Sequence, residues 1–360
     1  MKKILISPSK YVQSKGALKE LTQIASEYGK KALLVSSNTD LAYVQSAIDE
    51  AQKNFPLECV LTAFRGECSN VEIERLRTLS KANNCDVIIG LGGGKSLDTA
   101  KAIAHYDDLP VIVVPTIAST DAPCSSLAVI YTEQGAFETY MFFKTNPNLV
   151  LVDTDVIAKA PVRFLVAGMG DALSTYFEAR ACARSFANNI PGGKSTKLAI
   201  AAAKLCYETL LEDSLKAKAA CEANVVTQAL ENIIEANILL SGMGFESSGL
   251  AAAHAVHNGL TALDETHHCF HGEKVAFGVL VHLVLENAPK AELDEVLGYC
   301  RSVGLPTTLQ ALGVKEVTDE KVMAVAKLAC AEGETIFNMP FEVTADDVFA
   351  AIYTANRLGA

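Results

Sequence analysis

The stretch "DVIIGLGGGKSLDTAKAIA", residues 86–104, decides how the first half of the chain folds. A β-branched apolar run ends in Gly92, Gly93 and Gly94, and a helical pattern begins near Ser96. Residues without side chains let backbone N–H groups approach phosphate oxygens, and the helix N-terminus adds the positive end of a dipole for the same anion. Lys95 can add charge. The run matches neither the dinucleotide pattern GxGxxG nor the P-loop GxxxxGK[ST], and tight strand-to-helix turns also use glycine without any ligand. By itself the triplet leaves both readings open.

Four similar runs, "KALLVSS" (31–37), "LECVLTAF" (57–64), "PVIVVPT" (110–116) and "NLVLVDT" (148–154), alternate with polar helical segments, which implies a parallel sheet. Between the last two, "LAVIYTEQGAFETYMFF" (127–143) alternates on both sides of "TEQG", so an antiparallel hairpin is expected beside that sheet. After about residue 161 the texture changes. Strand signal all but disappears, and runs rich in Ala, Leu and Glu carry apolar residues three and four apart. The expectation is an α/β domain over 1–161 and a helical domain over 162–360, without a flexible linker, internal repeat or low-complexity segment.

A chain of 360 residues suits two cores. Half the residues are hydrophobic and 20% charged, yet charges interrupt every apolar run before the roughly 20 residues that a bilayer span needs. This predicts a soluble protein with buried subunit contacts. "MKKILISPSKYVQSKG" has too short an apolar run for a signal peptide, which points to the cytoplasm. Ten cysteines without a CxxC pair suit reduced, buried thiols. A formal charge of −11 argues against nucleic acid and acidic membranes and leaves a small molecule as partner.

"PTIASTDAPCSSLAVIY" (115–131) follows the strand after the glycine loop and is crowded with hydroxyls. Ligands of open parallel sheets sit at the carboxyl ends of strands, where both loops fall. Otherwise this is a polar turn with Asp121 as a cap. In "AAAHAVHNGL" (251–260), His254 and His257 lack the spacing and the glutamate of a zinc-protease helix. A lone histidine on an apolar helix is usually a hydrogen-bonded core residue, and His257, on the same face, either relays a proton or hydrogen-bonds. "HHCFH" (267–271) would make a zinc site on spacing alone, with Cys269 as a ligand. Asp171, in "GMGDALSTYFEA", reads locally as a helix N-cap.

Taken in order, "GGGKSLDTAKA", "PTIASTDAPCSSLAVIYTEQGAFE", "GMGDALSTYFEARAC", "GFESSGLAAAHAVHNGLTAL" and "HHCFHGEKVAFG" resemble the bacterial glycerol dehydrogenases of the iron-containing alcohol dehydrogenase superfamily. The resemblance runs over nearly the whole chain. It implies the dehydroquinate synthase-like fold, with an N-terminal dinucleotide domain and a helical domain that holds metal and substrate. It also implies oxidation of glycerol or related vicinal diols by hydride transfer to NAD or NADP, and an octamer. By it, Asp171, His254 and His271 match metal ligands and Asp121 a polyol contact. Gly93, Gly94 and Lys95 match a pyrophosphate site with Asp98 nearby, and Thr116, Ser119, Ser125, Leu127 and Tyr131 match other cofactor contacts. Two imidazoles and one carboxylate leave a position open, as in catalytic Zn²⁺ or Fe²⁺ sites. Iron-dependent relatives carry a histidine four residues after the aspartate; Thr175 stands here, which favours zinc over iron.

Many of these relatives also carry an aspartate where Ser37 stands. A hydroxyl removes the repulsion of a 2′-phosphate, so NAD is expected as the first cofactor with NADP tolerated. The rivals within the superfamily are glycerol-1-phosphate dehydrogenase and 3-dehydroquinate synthase. Both need a basic cluster, and neither "STDAPCSS" nor "GFESSGLAAAHAVHNG" offers Arg or Lys, so a neutral polyol fits better. A catalytically silent nucleotide-binding regulator is the rival from another class, against which the retained metal ligands argue.

Overall fold

The five apolar runs form strands β2 (Lys31–Ser36), β3 (Glu58–Ala63), β4 (Val87–Gly92), β5 (Val111–Pro115) and β8 (Leu149–Asp153) of a computed structural model that describes residues 1–360. A sixth strand, β1 (Tyr11–Ser14), was not foreseen. All six are parallel, in the order β1-β8-β5-β4-β2-β3. Strands β4, β5 and β8 are buried along their whole length, which is why they read as continuous apolar runs, whereas the edge strand β3 mixes exposed and half-buried residues. Strand β1 is four residues long and half-buried, too short to leave a pattern.

Helices α1 (Leu21–Ala25), α2 (Asn38–Asn54), α3 (Asn70–Ala82), α4 (Gly94–Asp107) and α5 (Thr154–Ala158) belong to the same unit. On one side of the sheet, Leu34, Ile89, Leu91, Val114 and Leu151 share a core with Leu18, Leu21, Val44 and Ile48. The hairpin forms as expected from β6 (Leu127–Tyr131) and β7 (Phe137–Phe142), as a two-stranded sheet of its own. Such a hairpin is marginal alone. Lys101, buried on α4, ties it down: its Nζ pairs with Asp98 Oδ1 at 2.8 Å and donates to the carbonyls of Ala122 at 2.9 Å and Leu127 at 2.6 Å. Asp98 Oδ2 accepts the Val129 N–H at 3.0 Å.

This unit comprises Ser7–Pro161 and Ala220–Glu231; the other comprises Met1–Ile6, Val162–Ala219 and Asn232–Ala360. Both short excursions follow from hydrogen bonds that leave no local trace. The Ile4 N–H donates to the Lys194 carbonyl and the Ile6 N–H to Ser247 Oγ, while the Glu231 carbonyl accepts from Gln13 Nε2. The second unit is helical, built on α6 (Val162–Ser185), α7 (Lys197–Glu222) up to Ala219, α8 (Gln228–Glu235) from Asn232, α9 (Ser241–Ser248), α10 (Ala252–Leu260), α11 (His271–Leu285), α12 (Lys290–Val303), α13 (Asp319–Ala329) and α14 (Ala345–Gly359). No helix is long and apolar enough to cross a membrane. All ten cysteines are free thiols.

The Lys101 knot makes a stability prediction. Lys101→Met strands the buried Asp98 carboxylate and should cost about 3–5 kcal/mol. Adding Asp98→Asn should recover part of that loss. Urea denaturation of the single and double variants checks both, and an unchanged midpoint for Lys101→Met would refute the assignment.

Candidate active site

Helix α6 runs unbroken through Gly168 and Gly170, so Asp171 stands mid-helix and is not the N-cap that its local sequence suggests. The glycines serve a crossing. A Cβ on Gly170 would lie 2.4 Å from the Gly272 carbonyl oxygen, and one on Gly272 only 1.8 Å from that of Ala167, so α6 and α11 touch backbone to backbone. This contact sets Asp171 Oδ1 3.2 Å from Nε2 of His271, the first residue of α11. Helix α10 closes on α11 in the same way, with a Cβ on Gly278 only 2.3 Å from the Ala253 carbonyl oxygen. The next residue is His254, whose Nε2 lies 3.6 Å from Asp171 Oδ1. Ligand atoms of Asp171, His254 and His271 all fall within 4.8 Å of one another.

The second nitrogen of each imidazole is held as well. His254 Nδ1 lies 2.6 Å from Glu178 Oε2, and Glu178 Oε1 accepts the N–H groups of Ala251 at 2.8 Å and His254 at 3.0 Å. A carboxylate only accepts, so Nδ1 carries a proton, and Nε2 is the nitrogen turned toward Asp171 and offered to a metal. His271 Nδ1 lies 3.0 Å from His257 Nε2. Burial opposes ionisation of Asp171, yet His271 and His254 hold its carboxyl below the usual range. Burial likewise pushes Glu178 up, and His254 more than offsets it. For His254, burial would lower the pKa, but Glu178 and Asp171 raise it well above an ordinary imidazole. Burial, then His271, pushes His257 well below, so it is neutral. Two buried carboxylates among imidazoles favour a cation, and two Nε2 atoms turned toward one carboxylate make a divalent metal the fitting one.

Glu178 escaped the sequence reading although a glutamate seven residues after Asp171, on the same face of an apolar helix, was the available signal. The rest of the histidine cluster stays out. Cys269 Sγ donates to the Leu312 carbonyl, His267 Nε2 lies 3.1 Å from the Thr261 carbonyl oxygen, and His268 Nε2 faces Cys269 Sγ. Thr175 Oγ1 is 2.8 Å from Ser241 Oγ, so a hydroxyl pair stands where a fourth nitrogen ligand would be expected.

The family model for iron-containing alcohol dehydrogenases matches residues 8–154. A glycerol dehydrogenase of Citrobacter freundii is 53% identical over 359 residues, covering 100% of this chain and 98% of that relative. The chain belongs to the iron-containing alcohol dehydrogenase family. The crystal structure of glycerol dehydrogenase from Schizosaccharomyces pombe superposes with a TM-score of 0.95 at 40% identity, covering 99% of this chain and 91% of that one. That of a probable glycerol dehydrogenase from Sinorhizobium meliloti 1021 gives 0.93 at 43%, covering 99% of each. Membership makes the chain an oxidoreductase and bears out the expected fold class.

For an iron-containing alcohol dehydrogenase, the glycine loop is the place to seek a dinucleotide. Gly92 has φ +136°, which a side chain resists, but a Cβ on Gly94 would meet nothing within 4 Å and one on Gly93 only Ile117 Cδ1 at 3.5 Å. Packing therefore does not demand the last two glycines. They leave open space at the N-terminus of α4, where the positive end of the helix dipole suits an anion.

Several of the expected cofactor contacts are otherwise engaged. Lys95 Nζ pairs with Glu67 Oε2 at 2.6 Å and lies 4.9 Å from the centre of the Tyr131 ring, so its charge is already compensated. Asp98 is spent on Lys101 and Val129; Ser125 Oγ and the Leu127 carbonyl serve the same knot. Burial pushes the Tyr131 phenol up to about 12, which keeps it a donor. Ser119 and Asp121 remain half-buried along the loop, and Asp121 opens the short turn Ala122–Cys124 without a side-chain cap.

Ser37 needs the largest correction. It caps α2, and its Oγ accepts the Asp40 N–H at 3.0 Å and donates to Asp40 Oδ2 at 2.6 Å. Thr116 Oγ1 donates to Asp40 Oδ1 at 3.1 Å. The hydroxyl proton expected for a 2′-phosphate is committed to a carboxylate that the sequence reading passed over, although the S-x-x-D spacing of a capping box was its signal.

The outer partner of His254 can be tested apart from the ligands. Glu178→Gln removes the charge but not the shape, and affinity for a divalent metal should fall about ten- to a hundredfold in chelator competition. Cys269→Ala should leave metal content unchanged, since its thiol bonds to Leu312.

Proposed function

We propose that this chain oxidises glycerol, and related vicinal diols, to the corresponding hydroxyketone with NAD as hydride acceptor and zinc held by Asp171, His254 and His271. The convergence of two imidazole Nε2 atoms on one buried carboxylate carries this reading, and the name shared by the full-length relatives supports the substrate. Two nitrogens and one oxygen, with hydroxyls at Thr175 and Ser241, suit zinc better than iron. When bound, the metal supplies Lewis acidity that lowers the pKa of a substrate hydroxyl. The nicotinamide takes up the hydride.

The chain's own residues bind and orient. Glu178 and His257 fix the two ligand imidazoles. Both ring nitrogens of His257 are engaged, to His271 and to Asn258, so we read it as a positioning residue and not as the proton relay. Backbone N–H groups at Gly93 and Gly94 receive the pyrophosphate. Asp121 accepts hydrogen bonds from polyol hydroxyls, and its charge, in a loop without Arg or Lys, repels a phosphorylated substrate. Free thiols and apolar residues exposed on α7, such as Leu198 and Leu205, support a cytoplasmic homo-oligomer.

Selection of NAD rests on Asp40. In open parallel sheets an acidic side chain on the strand beside the glycine loop reads the ribose hydroxyls and repels a 2′-phosphate. Strand β2 is that neighbour of β4, and a Cβ on Gly92 would lie 2.9 Å from Asp40 Oδ2. The carboxylate displaced from position 37 is restored three residues later.

The central experiment follows NADH formation with glycerol. Chelation should abolish turnover and zinc restore it, and His271→Ala should lose both metal and activity; an active metal-free enzyme would sink the mechanism. Preference for glycerol 1-phosphate over glycerol would overturn the substrate. For the cofactor, Asp40→Asn should raise kcat/KM for NADP relative to NAD on the order of tenfold, or ~1.4 kcal/mol of repulsion removed. An equal effect on both cofactors would leave Asp40 with capping alone.

A further inference from the structure

We infer that Glu334 is a positioning residue for the metal centre: through Asn258 and His257 it dictates which nitrogen of His271 carries the proton, and so keeps His271 Nε2 open to a metal. The inference rests on the three-ligand reading above and extends it outward by three residues. Glu334 Oε1 and Oε2 accept from Asn258 Nδ2 at 3.3 and 3.0 Å. A carboxylate cannot donate, so the amide is held with its oxygen turned away, and Asn258 Oδ1 faces His257 Nδ1 at 3.0 Å. An amide oxygen has no hydrogen to give, so His257 Nδ1 carries the proton. In neutral His257, Nε2 is then bare and accepts from His271 Nδ1–H at 3.0 Å. His271 Nε2, 3.2 Å from Asp171 Oδ1, is then the nitrogen that a metal beside Asp171 can take in place of a proton.

From Asn258 to His271 Nδ1 each link has a single polarity, decided by the acceptor-only carboxylate of Glu334 at the outer end. With the amide reversed, its NH₂ would donate to His257 Nδ1, His257 Nε2–H would donate to His271 Nδ1, and His271 would present Nε2–H, which binds no metal. His254 has a carboxylate directly on its Nδ1; His271 has one only at the end of this chain. Glu334 is itself held in place from outside the chain. Thr335 Oγ1 donates to the Ala251 carbonyl at 2.7 Å and Asn338 Nδ2 to that of Leu250 at 2.8 Å, strapping the Glu334 turn to the entry of α10, which carries His254, His257 and Asn258.

The test measures zinc affinity of the metal-stripped full-length protein by chelator competition, with cobalt absorption as a second probe. Glu334→Ala frees the amide to turn and should weaken binding about ten- to a hundredfold. Glu334→Gln still offers a carbonyl to Asn258 Nδ2 and should stay within about threefold of wild type. In the Glu334→Ala background, Asn258→Asp supplies a group that only accepts, again forces the proton onto His257 Nδ1, and should recover most of the affinity. A loss through damaged folding would not be repaired by a second substitution. Unchanged affinity in Glu334→Ala, or a double variant no tighter than Glu334→Ala, overturns the inference while leaving the three ligands standing. Failure of the wild type to bind zinc overturns the ligand reading itself and the inference with it.

Discussion

Everything in the proposed metal centre depends on how closely helix backbones approach one another. At Gly170 and Gly272, α6 and α11 meet with no room for a methyl group, and at Gly278 the α11 backbone meets that of α10 at Ala253. Asp171, His271 and His254 are each the immediate neighbour of one of these contacts. Close approach is therefore what makes short side chains from three helices reach a common point. Larger side chains at the crossings would push the helices toward the roughly 8–10 Å spacing of ordinary packed helices and change the distances among these three groups. The glycines act as spacers whose size sets the ligand distances.

Burying charge in such a place is costly unless every polar atom is satisfied. Here His254 and His271 each have a fixed partner on the nitrogen that faces away from Asp171. Glu178 holds His254 directly and also accepts two backbone N–H groups at the entry to α10, so one carboxylate both orients a ligand and secures the start of its helix. Lys101 and Asp98 solve a similar problem in the α/β unit, where a buried ion pair with carbonyl partners anchors a hairpin that could not stand alone. In both places an ionisable group is buried because it organises backbone.

The nucleotide end shows how a local rule can hide a functional group. Ser37 is a good N-cap, and N-caps favour an acidic residue in the first helical turn. Asp40 fills that place and satisfies the helix, but its carboxylate also lies against Gly92 and Thr116 at the ends of β4 and β5. The same hydrogen bonds that cap α2 aim a negative charge toward the loop that is expected to receive the cofactor.

The amino-acid pattern alone makes the parallel sheet, the hairpin, the strand-glycine-helix turn and the helical second half legible, because each is written as periodicity or turn chemistry within one element. It also determined which histidines to inspect, through motifs whose order along the chain resembles one family. Tertiary structure alone decided the rest. Strand β1 is too short and too exposed to leave a pattern, and Met1–Ile6 and Ala220–Glu231 join their units through hydrogen bonds to distant residues. Asp171 looks like a cap until α6 is seen to run through Gly170. Glu178 and Glu334 look like ordinary helix and turn residues until they are found at the far nitrogen of an imidazole or at the end of a hydrogen-bond chain. Lys95 and Asp98 look like phosphate contacts until Glu67 and Lys101 are found beside them. Periodicity records which face of an element is buried, whereas a ligand set or a charge pair is defined by distances between elements, and those come into existence only when the elements pack.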